Sequence, residues 1–334
     1  MTGRIENSLK IDASVKKILE NLPDYMKEYY SFLSASKEPS GCRDYIRKIR
    51  SFLRYINENP YNISFEDFSS ATINEYIKSI RYKNKNGKLF ETSNSYKSGI
   101  WFALNNFFKY LVKAGYMEFN PMDAVEKPRG KDIVSKKVLS PDEINETLFY
   151  VRCGCGTERA MNRNEKWKHR DLLIMILLFN TGMRETALSE INVEDINFED
   201  KTLKIIDKRH IEHEYPLSED ILKIINIWIK DRTELLNGKE QGALLISSLR
   251  ERLCAKAISN IVKKYTFAAT GTEYSPHKIR ATFGTLLYNE TNDIEFVREA
   301  MGHASISTTQ IYVVSKEKDA RKKASDIISK QIIS

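Results

Sequence analysis

SPHKIRATFGTLLYNETNDIEFVREAMGHASISTTQIYV, residues 275–313, is the stretch on which the reading of this 334-residue chain turns. Pro276 suits the first turn of a helix, where its missing N–H costs nothing. His277 and Arg280 then stand three apart and share one helix face. They sit at the helix N-terminus, where the backbone dipole and free N–H groups favour an anion. Gly302-His303 breaks the next helical run, and Tyr312 follows on a short segment of its own.

Upstream, DLLIMILLFNTG has the pattern of a buried helix that stops at Gly182. Its apolar run is well short of the ~20 residues that span a bilayer, so it reads as core. Arg184 follows the Thr181-Gly182-Met183 stop, where the chain turns and a long side chain can reach into a cleft. Between the two regions lie two strand-like runs, TLKIID (202–207) and HEYPL (213–217), joined by KRHIE. Lys208 stands at the start of that turn.

In this order, TGMRETAL (181–188), the lysine hairpin, HKIR (277–280) and MGHASISTTQIY (301–312) resemble the tyrosine recombinase (phage integrase) family. The family pattern is an arginine after a T-G turn, a lysine in a β-hairpin, H-x-x-R, and G-H with a tyrosine nine residues on. H-x-x-R alone is common in helices; five pieces in order are not. The resemblance covers roughly residues 139–330. It implies a mainly α fold: an N-terminal helical-bundle (SAM-like) core-binding domain, then an α-rich catalytic domain with a small antiparallel β-sheet.

The same resemblance implies a chemistry that the residue types support. Tyr312 is the expected nucleophile. A phenol with a pKa near 10 attacks only if a base takes its proton or cations stabilise the phenolate. Attack on a DNA phosphate gives a 3′-phosphotyrosyl bond that keeps the phosphodiester energy, so rejoining needs no ATP. Charge develops on the non-bridging oxygens, and Arg184 and Arg280 are the expected guanidinium clamp. His303 is expected to hydrogen-bond a non-bridging oxygen. His277 supports the phosphate or accepts the tyrosine proton; the sequence does not assign the base. Lys208 is the expected proton donor to the 5′-oxygen, since the pKa of its neighbour Arg209 is too high for that work. One position departs from the pattern. The family has an acidic residue three after the first arginine, and here it is Ala187, which Glu185 or Glu190 would have to replace. His169, His210 and His213 belong to no motif and read as structural or surface residues.

Composition agrees with a globular DNA-acting protein. The chain is 41% hydrophobic and 29% charged, with net charge +8 and a pI near 9.0, which suits a polyanionic partner. The four cysteines show no paired ligand spacing, so no metal site is expected, and no phosphate-loop motif points to a nucleotide cofactor. The N-terminal residues lack a signal-peptide core, and the expected location is cytoplasmic.

Residues 1–12 read as a flexible N-terminus and residues 13–119 as a helical domain of four helices. YIRKIRSFLRYI places Ile46, Ile49, Phe52, Leu53 and Ile56 on one face. Arg43, Arg47, Arg50 and Arg54 lie on another, either as a solvated outer face or as a row of phosphate contacts. Lys83, Lys85 and Lys88 surround Asn86-Gly87 as a basic loop of the same kind. Residues 120–139 read as a basic interdomain linker and 140–334 as the catalytic domain with a C-terminal tail. Ser140, Pro141 and Glu143 form a capping box at its start. CGCGTERAMNRNEKWK (153–168) reads as a loop, and a second strand pair is expected around ALLIS (243–247).

The resemblance implies double-stranded DNA as substrate and a homotetramer on two DNA sites, with the tail after Tyr312 packing on a neighbouring protomer. The role implied is integration or excision of a mobile element. Alternatives are a chromosome-dimer resolving recombinase and a non-catalytic DNA-binding relative. A type IB topoisomerase fits less well with the compact all-α first domain.

Overall fold

The computed structural model describes residues 3–83, 87, 89–129, 138–206 and 212–302. Two compact units emerge: one is Ile5–Ser135, the other Lys136–Ser334 together with Met1–Arg4.

The first unit is helical. Its helices are α1 (Gly3–Leu19), α2 (Asp24–Ser34), α3 (Pro39–Ile56), α4 (Ser70–Ser79) and α5 (Asn94–Lys113). Local sequence sets their ends. Pro39 opens α3, and the Ser69 and Ser93 hydroxyls accept from the N–H groups of Thr72 and Tyr96 to cap α4 and α5. After α5, Gly115 adopts φ +80° and Tyr116 N–H returns to Leu111 O, closing the helix in a left-handed turn. The apolar stripe of α3 is buried at Ile46, Ile49, Phe52 and Leu53. It meets an aromatic core in which the Tyr29 and Phe107 rings lie edge to face at 5.1 Å. Strands β1 (Arg81–Lys83) and β2 (Leu89–Glu91) pair antiparallel between α4 and α5.

Two sequence expectations need correction here. Residues 3–12 belong to α1 rather than to a loose end. Polar side chains on that helix have partners: Asp12 pairs with Lys16 at 2.8 Å and accepts a short hydrogen bond from the Tyr30 hydroxyl. The first part of the expected linker is packed, not extended. Pro121–Ala124 forms a 3-10 turn, Pro121, Met122 and Val125 are buried, and Trp101 Nε1 donates to Val125 O at 2.9 Å. Residues 130–137 lie outside the described residues.

The second unit is built around one buried helix. Its elements begin with α6 (Pro141–Cys153), α7 (Glu158–Glu165), α8 (Lys168–Thr181) and α9 (Glu185–Glu190). Strands β3 (Ile196–Asn197), β4 (Thr202–Ile206) and β5 (Glu212–Pro216) follow. Then come α10 (Glu219–Leu236), α11 (Ala255–Thr270), α12 (Pro276–Thr291) and α13 (Ile294–Ala300). Every residue from Leu172 to Leu178 on α8 is buried, because α6, α10 and α12 all pack on it. A helix apolar all round can sit only in such a place. At its start Arg170 lies over the Trp167 ring and pairs with Asp171 at 2.8 Å; Asp171 also accepts from the buried Tyr265 hydroxyl. The charges are thus paired and hydrogen-bonded where they leave water.

The sheet is antiparallel in the order β3-β4-β5, with Ile205 opposite His213. Leu203 and Ile205 face the core while Lys204 and Ile206 are exposed. The Ser140–Glu143 capping box forms as read. The polar 153–168 segment, read as a loop, contains α7; Thr157 caps it by accepting from Ala160 N–H. Residues 243–247 pair only briefly: around the antiparallel Ile246–Arg252 bridge, Ser247 N–H donates to Glu251 O at 2.8 Å and Leu253 N–H to Leu245 O at 2.9 Å. They make isolated bridges, and side chains satisfy their carbonyls: Trp228 Nε1 donates to Leu244 O at 2.9 Å and Arg232 Nε to Ala243 O at 2.8 Å.

Two stability tests follow from this packing. Hydrogen bonds from Lys16 and Tyr30 hold the Asp12 carboxyl below its ordinary pKa of 3.8. A carboxyl lowered in this way stabilises the fold above its unfolded pKa, and that gain is lost as pH falls through the folded value. Asp12→Asn should therefore cost about 0.5–1 kcal/mol at pH 7, after solvent screening. In urea titrations the gap to wild type should close at acid pH; an equal loss at both pH values would contradict it. Gly182 has φ +59°, and a Cβ there would lie 2.4 Å from Cδ1 of Phe283. Gly182→Ala combines left-handed strain with overpacking and should cost about 2–4 kcal/mol. Urea midpoints within error of wild type would rule that out.

Candidate active site

Arg184 is placed by the end of the core helix. Gly182 takes the left-handed conformation that terminates α8, and its N–H returns to Leu178 O at 3.1 Å. The Thr181 hydroxyl accepts from Met183 N–H and so shapes the turn. Arg184 then stands at the N-cap of α9, exposed. Among the described residues it makes no ion pair with Glu185 or Glu190, so its guanidinium is not consumed by a neighbouring carboxylate.

Arg280 is placed by α12. Ser275 caps that helix and Pro276 occupies its first turn, as the sequence suggests. His277, in the first turn, is exposed, whereas Arg280 is only 4% exposed. The Arg280 guanidinium donates from Nη1 to Gly182 O and from Nη2 to Met301 O, both at 2.5 Å. One side chain thus ties the turn before Arg184 to the turn before His303. Thr282, also buried, accepts from Leu139 N–H at 3.1 Å and fixes the start of the unit to the same helix. Arg184, His277 and Arg280 are therefore brought to one region by a core helix, its stop glycine and a capped helix. Lys208, His303 and Tyr312 lie outside the described residues.

Two features were not legible in the sequence. Phe283 closes over Gly182 and makes that position intolerant of a side chain. His213, read as structural or surface, sits on β5 with its ring against Gly302. The other unassigned histidine in the described residues, His169, pairs with Asp231 at 2.6 Å. Its role there is structural.

Ala187 is partly buried against the core and borders a cavity of about 160 Å³. Glu190, Asp195, Lys204 and Glu212 share that lining. Burial, opposed in part by the Asn192 N–H, pushes the Asp195 carboxyl above its ordinary pKa. Lys204 and Glu212 pair across the strands at 3.5 Å. Three carboxylates thus lie in the same cavity as the Ala187 methyl, together with the cations Arg4 and Lys204. Among the described residues no cluster of histidine, cysteine or carboxylate side chains could hold a metal.

In the first unit, Arg47 and Arg54 are exposed and Arg43 and Arg50 are half-buried along α3. Among the described residues none of the four pairs with a carboxylate, although Lys48 on the same helix does so with Asp44 at 2.6 Å. Burial, and then repulsion from Arg54 and Arg47, lowers the Arg50 pKa. Such a concentrated, uncompensated positive row suits a polyanion. Of the lysines in the β1–β2 turn, Lys85 and Lys88 lie outside the described residues, as does the side chain of Lys83; only its strand backbone is described.

The phage integrase family model matches residues 157–319. A tyrosine recombinase XerC of Vibrio vulnificus (strain YJ016) is 29% identical over 211 residues, 63% of this chain and 63% of that protein. The chain thus spans less than two thirds of that relative's length. A tyrosine recombinase XerC of Vibrio parahaemolyticus is 26% identical over 290 residues, 86% of this chain and 87% of that one. Among solved structures, a XerH site-specific recombinase bound to palindromic difH substrate shares the fold with a TM-score of 0.63 at 20% identity, over 86% of this chain and 80% of that one. No helix among the described residues is long and apolar enough to cross a membrane. The ordered motifs, the arrangement of the arginine turns and these matches agree: residues 157–319 match the phage integrase family, and the chain resembles tyrosine recombinases over most of its length.

Proposed function

We propose that this protein is a site-specific DNA strand transferase. The observation that carries the proposal is the Arg280 fork, which fixes the Arg184 turn and the Gly302 turn beside the N-terminus of α12. Two arginines and a histidine at a helix N-terminus form a ready site for a phosphodiester.

In this reading Tyr312 Oη attacks the phosphorus, the bond to the 5′-oxygen breaks, and a 3′-phosphotyrosyl bond forms. Arg184 and Arg280 stabilise the charge that grows on the non-bridging oxygens, with His303 donating to one of them. The phenolic proton passes to a base, with His277 the candidate among the described residues. Lys208 returns a proton to the departing 5′-oxygen. Rejoining reverses these steps with a 5′-hydroxyl from a partner duplex, so the energy of the broken bond is recovered without ATP.

The first unit acts as the core-binding domain. Arg43, Arg47, Arg50 and Arg54 contact phosphates, together with Lys83 and Lys85 from the β1–β2 turn. Residues 120–139 join it to a catalytic domain that runs from 140 to the C-terminal tail. Four protomers act on two duplex sites in the cytoplasm, with the tail packing on a neighbour. Integration or excision of a mobile element is one role; similarity to tyrosine recombinases named XerC and XerD is compatible with a second, resolution of chromosome dimers.

The test is a nicked duplex carrying the recognition sequence, from which the short leaving strand diffuses away after cleavage. Wild type should give a covalent protein–DNA band on a denaturing gel, and Tyr312→Phe should give none while still shifting the duplex on a native gel. Binding by wild type without any covalent band would move the protein to the non-catalytic DNA-binding class.

A further inference from the structure

His213 and Gly302 are far apart in sequence, yet they touch. A Cβ placed on Gly302 would lie 3.0 Å from Cε1, 3.3 Å from Nε2 and 3.6 Å from Nδ1 of the His213 ring. Gly302 itself has φ +60°, a conformation glycine takes at little cost. The absent side chain is therefore what allows the imidazole edge to rest directly on the backbone of this turn. His213 is half-buried on β5, paired with Ile205 of β4, so the small sheet holds its ring from behind.

The turn that His213 touches is the one Arg280 uses. Met301 O accepts from Arg280 Nη2 at 2.5 Å, and Gly302 N–H donates to Glu299 O at 2.9 Å. Met301 is buried with Val297 and Ala281 beneath it. The Gly302 backbone is thus held by α13 and Arg280 on one side and by the His213 ring on the other. Removing the ring takes away the three atoms nearest to that side of the turn. His303 is the next residue in the chain, so any drift of the Gly302 peptide is passed directly to it.

We propose that His213 is a positioning residue for strand cleavage: its ring, seated on Gly302, sets the turn that feeds His303 and receives Arg280. The proposal rests on the strand-transferase reading above.

The test uses the full-length chain and the nicked duplex, with His213→Ala, His213→Phe, Gly302→Ala and the double variant His213→Ala/Gly302→Ala. His213→Ala should cleave about tenfold more slowly, the scale of loss expected when a reacting group is slightly misplaced. Its duplex affinity should stay at the wild-type value. His213→Phe keeps a flat ring at the contact and should recover most of the rate. Gly302→Ala drives a methyl into the ring, and the double variant should be no slower than Gly302→Ala alone, because the two changes act on one contact. Cleavage by His213→Ala at the wild-type rate would overturn the proposal, as would losses that multiply in the double variant. If His213→Ala loses affinity and rate together, the role is in DNA binding, not positioning, and the proposal also falls. Absence of a covalent band from wild type would instead sink the strand-transferase reading, and the positioning role with it. Should Gly302→Ala fail to fold, the Ala and Phe variants at His213 still decide the matter.

Discussion

Two hydrogen bonds from a single buried guanidinium organise the second unit. Arg280 is nearly sealed from solvent, and a charge in such a place must be met by strong acceptors. Two of its acceptors are backbone carbonyls, Gly182 O and Met301 O, each just before a residue that the proposed chemistry uses. Arg184 follows the first by two residues and His303 follows the second by two. The planar fork of arginine suits this double contact; a lysine could reach one carbonyl at a time. Other features fall into place around it. Gly182 must be glycine because Phe283 covers it, and α8 must be apolar all round because the helices that carry these turns pack on it from several sides.

Charge is distributed differently in the two units. In the first, α3 presents a row of arginines that pair with no carboxylate among the described residues, and burial, then repulsion from Arg54 and Arg47, lowers the Arg50 pKa. In the second, carboxylates crowd the cavity beside Ala187. Glu190, Asp195 and Glu212 already share it, and burial raises the Asp195 pKa. An aspartate or glutamate at 187 would join three acidic neighbours, with Arg4 and Lys204 as the cations in the lining. The alanine at this position, a departure from the family pattern, is consistent with a site whose acidic groups come from elsewhere on α9 and the sheet.

Much of this was legible because the signals are local. The Ser275-Pro276 start, the Gly182 stop, the Ser140 capping box and the strand pair flanking residues 207–211 each depend on residues close in sequence. The fold class follows from their order and from the periodicity of α2 to α5. What was hidden depends on partners far along the chain. Residues 3–12 look loose until Tyr30 reaches Asp12, and the linker looks extended until Trp101 takes the Val125 carbonyl. ALLIS has the composition of a strand, but its pairing stops at single bridges, and Trp228 and Arg232 occupy the Leu244 and Ala243 carbonyls. The ring of His213 looks incidental until Gly302 arrives beneath it.

The central claim is that Arg280 holds the two turns together. Hydrogen exchange on full-length Arg280→Lys, without DNA, tests this most directly, since lysine keeps the charge and loses the fork. The account predicts that amides of Gly182, Met183 and Gly302 exchange faster, by about tenfold or more, while the Leu172–Leu178 stretch of α8 keeps its protection. Unchanged exchange at both turns would mean that Arg280 is held by the fold rather than holding it, and the account would fail at its centre.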